Sequence, residues 1–335
     1  MSDKDPRVNK KKEYKELLQK IATHRNEKIA PLTSTMDRPG VAENISFTLE
    51  LRNGTQLPVE VFRPINSTLE FYPTIFHIPG SGFNTLNPYF AFVTCSQLAE
   101  HSGCQVIVIN HRLVPEHPFP AGQDDSMEVF CTLMDNSIFL KIDLSKVALS
   151  GYSSGGTYAA WVANQEGECT QSEHLSNIKH LFLISPLVDL SGLMPRIEQE
   201  SEIQDHIVSQ HFIDGMKEYY LRGIANLSDS KLSPYFQEIK KNHPPTHFTR
   251  GHHDRLASDT EAYKNKLKDK TMVSSTNIQG CHDVFWHKKE AILDVASMAR
   301  QTIGVVIPRP VGAPPEAKDE ALEKSNNDAH ITSKL

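Results

Sequence analysis

Residues 146–163 constrain the fold more than any other part of the chain. Lys146-Val147-Ala148-Leu149-Ser150 is a short, mostly apolar run suited to a buried parallel strand. Gly151-Tyr152-Ser153-Ser154-Gly155 follows at once, and Thr157-Tyr158-Ala159-Ala160-Trp161-Val162-Ala163 then reads as a helix of small and apolar residues. A strand that turns directly into a helix through Gly-x-Ser-x-Gly turns sharply, and only small residues fit on either side of the serine. The serine hydroxyl is then left standing above the end of a sheet.

Such a pattern alone arises by chance in about one chain in ten of this length. Two later segments supply the specificity. A serine near its free pKa is a poor nucleophile, so it requires an imidazole to take its proton and a carboxylate to orient that imidazole. Asp254 lies just after the strand-like Pro245-Thr246-His247-Phe248-Thr249, and His282 follows the alternating strand Met272-Val273-Ser274-Ser275-Thr276-Asn277-Ile278. The order serine, acid, base is the order in which an elbow serine meets its partners. The three residues point to a serine nucleophile, Ser153, with Asp254 and His282 as acid and base.

Rivals for these roles exist. Asp259 and Asp283 compete for the acid, and His252, His253 and His287 for the base. His252, His253, Asp254, His282 and His287 also admit a metal-ligand reading. With 16 histidines in the chain such clusters are common, and the expectation is neither a metal nor a cofactor. Cys281 is expected to be a small apolar filler, since it lacks an elbow.

Alternation of strands and helices sets the class. A hairpin around Asn53-Gly54 joins residues 47–51 to 58–62, and strands at 74–78, 105–109, 146–150 and 180–184 then alternate with helices at 88–102, 121–136 and 155–165. A strand at 245–249, a helix at 258–268, a strand at 272–278 and a helix at 288–302 complete the pattern. This is an α/β fold with a mostly parallel sheet and helices on both faces. A lysine-rich helix within residues 1–40, with Tyr14, Leu17, Leu18 and Ile21 at helical spacing, is expected to serve as a cap, together with a polar insertion at about 187–240. The main domain is expected at 41–307.

With 35 basic and 41 acidic residues the chain carries a net charge of −6 and no basic field for nucleic acid. No stretch approaches the apolar length of a membrane span. Five scattered cysteines, Cys95, Cys104, Cys131, Cys169 and Cys281, suggest free thiols in a reducing compartment. Met1 to Pro6 offers no export signal, so a cytoplasmic location is expected. The Pro-rich, charged stretch 308–335 is expected to be disordered. Its final Ser333-Lys334-Leu335 reads as a peroxisomal address in a eukaryotic cell. The acidic run Glu316 to Glu323 resembles C-terminal signals for bacterial secretion. A monomer or homodimer acting on a small molecule is expected.

The segment from His111 to Ala121, His-Arg-Leu-Val-Pro-Glu-His-Pro-Phe-Pro-Ala, followed by Asp125, carries a family resemblance. It resembles the Tyr-Arg-Leu-Ala-Pro-Glu-His-Pro-Phe-Pro-Ala block of the hormone-sensitive-lipase-like α/β-hydrolases, and the likeness spans roughly residues 45 to 300. Ser153 falls on the nucleophile of that family's Gly-Asp-Ser-Ala-Gly-Gly pattern. Asp254-Arg255-Leu256 with Glu261-Ala262-Tyr263 matches its acid region, and His282 its catalytic histidine. The resemblance implies an α/β-hydrolase fold with a helical cap and a cofactor-free carboxylic-ester hydrolase acting through an acyl-enzyme on short to medium acyl esters. An amidase or deacetylase with the same triad is the alternative, as is a ligand-binding relative like the gibberellin receptor, which lacks the histidine.

Two departures stand out. Where the family has His-Gly-Gly-Gly-Phe, this chain has Pro79-Gly80-Ser81-Gly82-Phe83. Pro73 and Phe83 keep the family's spacing, which aligns Pro79, and not His77, with the family's histidine. The resemblance then implies an oxyanion hole from the backbone N–H groups of Ser81, Gly82 and Ser154. The second departure is Tyr152 for the family's Asp, expected to touch the elbow's surroundings and not its chemistry.

Overall fold

The computed structural model describes residues 43–84, 88–165, 173–191, 208, 216, 219–221 and 223–304. The expected N-terminal helix, the 308–335 tail and most of the insertion between 192 and 218 lie outside the described residues.

Eight strands form one sheet: β1 (Glu43–Glu50), β2 (Gln56–Arg63), β3 (Tyr72–Ile78), β4 (Gln105–Ile109), β5 (Ile142–Tyr152), β6 (Ile178–Ile184), β7 (Thr246–Gly251) and β8 (Val273–Ile278). Their order is β1-β2-β4-β3-β5-β6-β7-β8. The first two strands run antiparallel to their neighbours and the remaining six are parallel. The β1–β2 hairpin turns where Asn53-Gly54 predicts it. Gly54 takes the left-handed φ of 81° and its N–H donates to the Leu51 carbonyl at 2.8 Å, while the Asn53 side chain accepts from the Thr55 N–H.

Burial follows position in the sheet. All seven residues of β3 and all five of β4 are buried, as strands covered on both faces must be. Strand β8 lies at the edge and reads Val-Ser-Ser-Thr-Asn-Ile with no fully buried residue, a polar composition that discourages edge-to-edge pairing. Strand β5 begins four residues earlier than the apolar run suggests. Ile142 pairs with Tyr72, and the register then shifts before Thr74 meets Val147, so an irregularity carries the chain across a polar stretch.

Helices α1 (Pro88–Ser102), α2 (Ala121–Asp135), α3 (Ser154–Ala163), α4 (Glu173–Ser176), α5 (Ala257–Leu267), α6 (Val284–His287) and α7 (Lys289–Thr302) follow the strands. One core, with Phe76, Ile78 and Leu149, is closed by Phe130 of α2 and Ala159 and Val162 of α3. The other, with Ile75, Ala148 and Phe182, is closed by Leu98 of α1 and Val295 and Ala299 of α7. Two layers of helix therefore sandwich the sheet. The helix expected over 288–302 is present as α7, and the short α6 precedes it, separated by the extended Lys288. No helix among the described residues is long and apolar enough to cross a membrane.

The cysteines correct one expectation. Cys95, Cys104 and Cys281 are free, and burial pushes the Cys95 thiol up to about 12 and the Cys104 thiol to about 11. Cys131 on α2 is instead disulfide-bonded. Scattered positions along a chain say nothing of which sulfurs the fold brings within bonding distance.

Candidate active site

The sheet reverses its winding at β3. From there the chain goes to β4 on one side and, after α2, to β5 on the other, so a crevice opens between the carboxyl ends of β3 and β5. Pro79–Phe83 leaves β3 at this crevice and Ser153 follows the end of β5 there.

Ser153 occupies φ 54° and ψ −122°, a strained region for a residue with a Cβ. Its N–H donates to the Ile184 carbonyl at 2.9 Å, tying the turn to β6. Glycine is required on both sides. A Cβ on Gly151 would come within 2.3 Å of the Gly155 carbonyl oxygen, and one on Gly155 within 2.1 Å of the Ile78 carbonyl oxygen. The elbow thus wedges the first turn of α3 against the end of β3, and the serine hydroxyl has nowhere to point but the crevice.

There it meets its partners. Ser153 Oγ is 2.8 Å from His282 Nε2, and His282 Nδ1 lies 3.0 and 3.1 Å from the two oxygens of Asp254. The carboxylate accepts from Nδ1–H, which leaves Nε2 to accept from the serine hydroxyl. Asp254 follows β7 and is fully buried. Burial alone would raise its carboxyl, but the facing His282 and the N–H of Leu256 outweigh burial and hold it below the usual range. All three residues are 8% exposed or less, so the array is screened from water.

The rivals are engaged elsewhere. Asp259 accepts from the backbone N–H groups of Val188 and Asp189. Asp283, at the start of α6, pairs with His287 at its end, at 3.8 Å. His252 and His253 pack edge to face against each other. Among the described residues, no group of three or more His, Cys, Asp or Glu is arranged to hold a metal ion.

His77 lies inside β3, two residues short of the loop. It is buried with Nδ1 3.0 Å from Ser150 Oγ, and burial lowers its pKa to about 3. His77 thus belongs to the strand, and the loop begins after it, at Pro79. Gly80 presses against the elbow, since a Cβ there would meet Ser153 Cβ at 3.0 Å and the Tyr152 ring at 2.6 Å. Gly82 and Phe83 both take positive φ, 53° and 66°. The Ser81 N–H donates to Ser154 Oγ at 2.9 Å, the two hydroxyls lie 3.1 Å apart, and Ser81 Oγ accepts from the Phe83 N–H. Ser154 opens α3, where a backbone N–H has no intrahelical acceptor.

The long motif at 111–125 supports this loop from below. Arg112 grips the buried Asp125 through Nε and Nη2 at 2.7 to 3.1 Å, and the carboxylate also accepts from the Arg112 backbone N–H. The Val114 N–H donates to the Phe83 carbonyl at 3.0 Å. Phe83 in turn stacks on Tyr220, with ring centroids 3.7 Å apart and 2° between planes, and Tyr220 accepts from Gln123 Nε2 at 2.6 Å. Sequence reasoning missed Tyr220, which carries no motif and reaches the loop from a separate part of the chain.

Known proteins share these features. A protein family described as having the α/β-hydrolase fold matches residues 75–287. The chain is 24% identical over 243 residues to an ethyl acetate hydrolase of Pseudomonas putida, covering 72% of this chain and 74% of that one. It is 27% identical over 238 residues to an esterase of Acinetobacter venetianus, covering 67% and 74%. Among solved structures, an ester hydrolase from the metagenome of Lake Arreo superposes with a TM-score of 0.73 at 26% identity, over 83% of this chain and 89% of that one.

Proposed function

Because the chain belongs to the α/β-hydrolase fold family and is a carboxylic-ester hydrolase, we propose that Ser153, His282 and Asp254 carry its reaction. The observation behind this assignment is the unbroken line of hydrogen bonds from Ser153 Oγ through His282 to Asp254. Ser153 Oγ attacks the ester carbonyl carbon while Nε2 of His282 takes its proton, and Asp254 stabilises the imidazolium formed. The tetrahedral intermediate collapses as the carbon–oxygen bond to the alcohol breaks, and the alcohol leaves with the proton from His282. Water then attacks the acyl-enzyme by the same route, and Ser153 regains its proton.

The oxyanion formed in each half accepts from the N–H groups of Gly82 and Ser154, joined by that of Ser81 once it leaves Ser154 Oγ. Position supports this choice: Gly80 lies against the nucleophile, the loop passes over it, and Ser154 is the residue after it. The substrates we assign are small esters with short to medium acyl chains. The side chains and N–H groups named above all come from one chain, which suits a monomer or a homodimer alike.

The test is fluorophosphonate labelling of wild type and Ser153→Ala, with turnover on an ester paired with its isosteric amide. Labelling confined to wild type and turnover confined to the ester are expected. Equal labelling of the variant would remove Ser153 from the role.

A further inference from the structure

The residue before the nucleophile is an aspartate in the pattern this chain resembles and Tyr152 here. Its side chain is 1% exposed and touches three parts of the site at once. The hydroxyl donates to the backbone carbonyl of His282 at 2.8 Å, across 130 residues of sequence. The ring lies along the His282 imidazole, with centroids 5.4 Å apart and 25° between planes. The same ring limits Gly80 of the oxyanion loop, where a Cβ would come within 2.6 Å of it. Phe285 and Trp286 also pack against the ring, with centroids at 5.7 and 5.0 Å.

These contacts matter because of how His282 is held. It sits on a loop that leaves β8 through Gly280, at φ 149°, so its backbone is not fixed by a strand or helix. The Cys281 carbonyl packs onto Gly251, and the His253 N–H donates to the Gly280 carbonyl at 2.9 Å. The Tyr152 hydroxyl fixes the next carbonyl, that of the histidine itself. A displacement of about 1 Å in a catalytic group can cost on the order of a hundredfold in rate. The ring adds a second effect. An aromatic face within about 6 Å of a cation attracts it, so the stacked ring favours the imidazolium that forms in each half-reaction.

We propose that Tyr152 is a positioning residue for the catalytic base. Its hydroxyl anchors the backbone of His282, and its ring supports the imidazolium while keeping the oxyanion loop in register. This rests on His282 acting as the base. The titratable groups around His282 are Asp254 on Nδ1, Asp283 with its partner His287, His252 and His253 on the loop after β7, and Cys281. All are unchanged by substitution at Tyr152.

Steady-state kinetics of the full chain on p-nitrophenyl butyrate from pH 5 to 9, with Tyr152→Phe and Tyr152→Leu, separates the two effects. Tyr152→Phe keeps the ring and loses the anchor: kcat falls about fivefold, as for one hydrogen bond, with KM and the acid limb of the profile unchanged. Tyr152→Leu also loses the ring, so the acid limb moves to lower pH by roughly half a unit. Fluorophosphonate titration counts folded, competent sites, so misfolding of the leucine variant is read separately and the phenylalanine variant still decides. Wild-type kcat in Tyr152→Phe, or an unmoved acid limb in folded Tyr152→Leu, overturns the corresponding half of the proposal. Ser153→Ala is run alongside, and residual turnover in that variant would indict the triad and not Tyr152.

Discussion

The backbone N–H of Ser81 donates to the side-chain oxygen of Ser154 at 2.9 Å, so one donor of the proposed oxyanion hole is occupied by the residue that follows the proposed nucleophile. An oxyanion competes well for that N–H, because charged acceptors make the stronger bond, but the neutral bond must first be broken. Removing the hydroxyl removes that cost of about 1 kcal/mol, so Ser154→Ala should raise kcat about fivefold. Esterase assays on the purified variant check this, and a decrease would show that the hydroxyl assists and does not compete.

Within the same loop, Gly82→Pro should be severe. It deletes one N–H and imposes a negative φ where the structure has 53°. Loss of one oxyanion donor costs about 3–4 kcal/mol in the transition state, so kcat should fall on the order of a hundredfold to a thousandfold. Ser81→Gly should retain activity, since its donor is a backbone group. If His77→Ala removed activity and Gly82→Pro spared it, the loop would have to be placed two residues upstream.

Ser153→Ala should leave the thermal unfolding curve near that of wild type and lower turnover by about 10⁴-fold or more. Circular dichroism melts with p-nitrophenyl ester assays measure both. A panel of esters of increasing chain length should favour acyl groups up to about eight carbons.

Acid should unfold this protein early, for reasons remote from catalysis. Burial lowers His77 to about 3 and His180 and His243 to about 4. Each binds its proton near 6.5 when unfolded, so between that value and its folded pKa the unfolded chain holds more protons and stability falls with pH. The loss starts below about pH 6.5 and is complete only below the folded values. His77→Gln should flatten the dependence of unfolding free energy on pH between 4 and 6 by up to about 1.4 kcal/mol per pH unit. Urea titrations at several pH values would reveal an unchanged slope if His77 were not buried neutral.

Asp294 on α7 adds a second acid-sensitive contact. Burial would raise its carboxyl, yet bonds from His247 Nε2 at 2.8 Å and Thr249 Oγ1 at 2.7 Å hold it below the ordinary value. A depressed carboxyl stabilises the fold above the unfolded pKa of about 3.9 and loses that contribution as pH falls through the folded value. Asp294→Asn should therefore cost about 2 kcal/mol at pH 7 and much less at pH 3, measurable as converging melting temperatures where both proteins remain folded.

The three side chains that meet in the crevice, Ser153, His282 and Asp254, were legible in the sequence because the proposed chemistry fixes both residue type and order. Only a serine between glycines fits the elbow, and Asp254 and His282 each follow a strand whose pattern is visible. The β3 and β4 runs were legible because strands covered on both faces are mostly apolar. The contacts of Ser81 with Ser154, Tyr152 with His282, and Phe83 with Tyr220 were not. Each joins residues distant in sequence, and nothing in a tyrosine's neighbours along the chain says which carbonyl its hydroxyl will reach. The Cys131 disulfide was hidden for the same reason.

The parallel stack of Phe83 on Tyr220 bears on how this scaffold can be re-engineered. Tyr220 belongs to the stretch between β6 and β7, a natural one to exchange when altering which substrates enter. Here that stretch also braces the turn that carries the Gly82 N–H. Access and catalysis are consequently not modular: a graft lacking an aromatic residue at the place of Tyr220 alters turnover on every substrate, including those small enough never to touch the grafted segment.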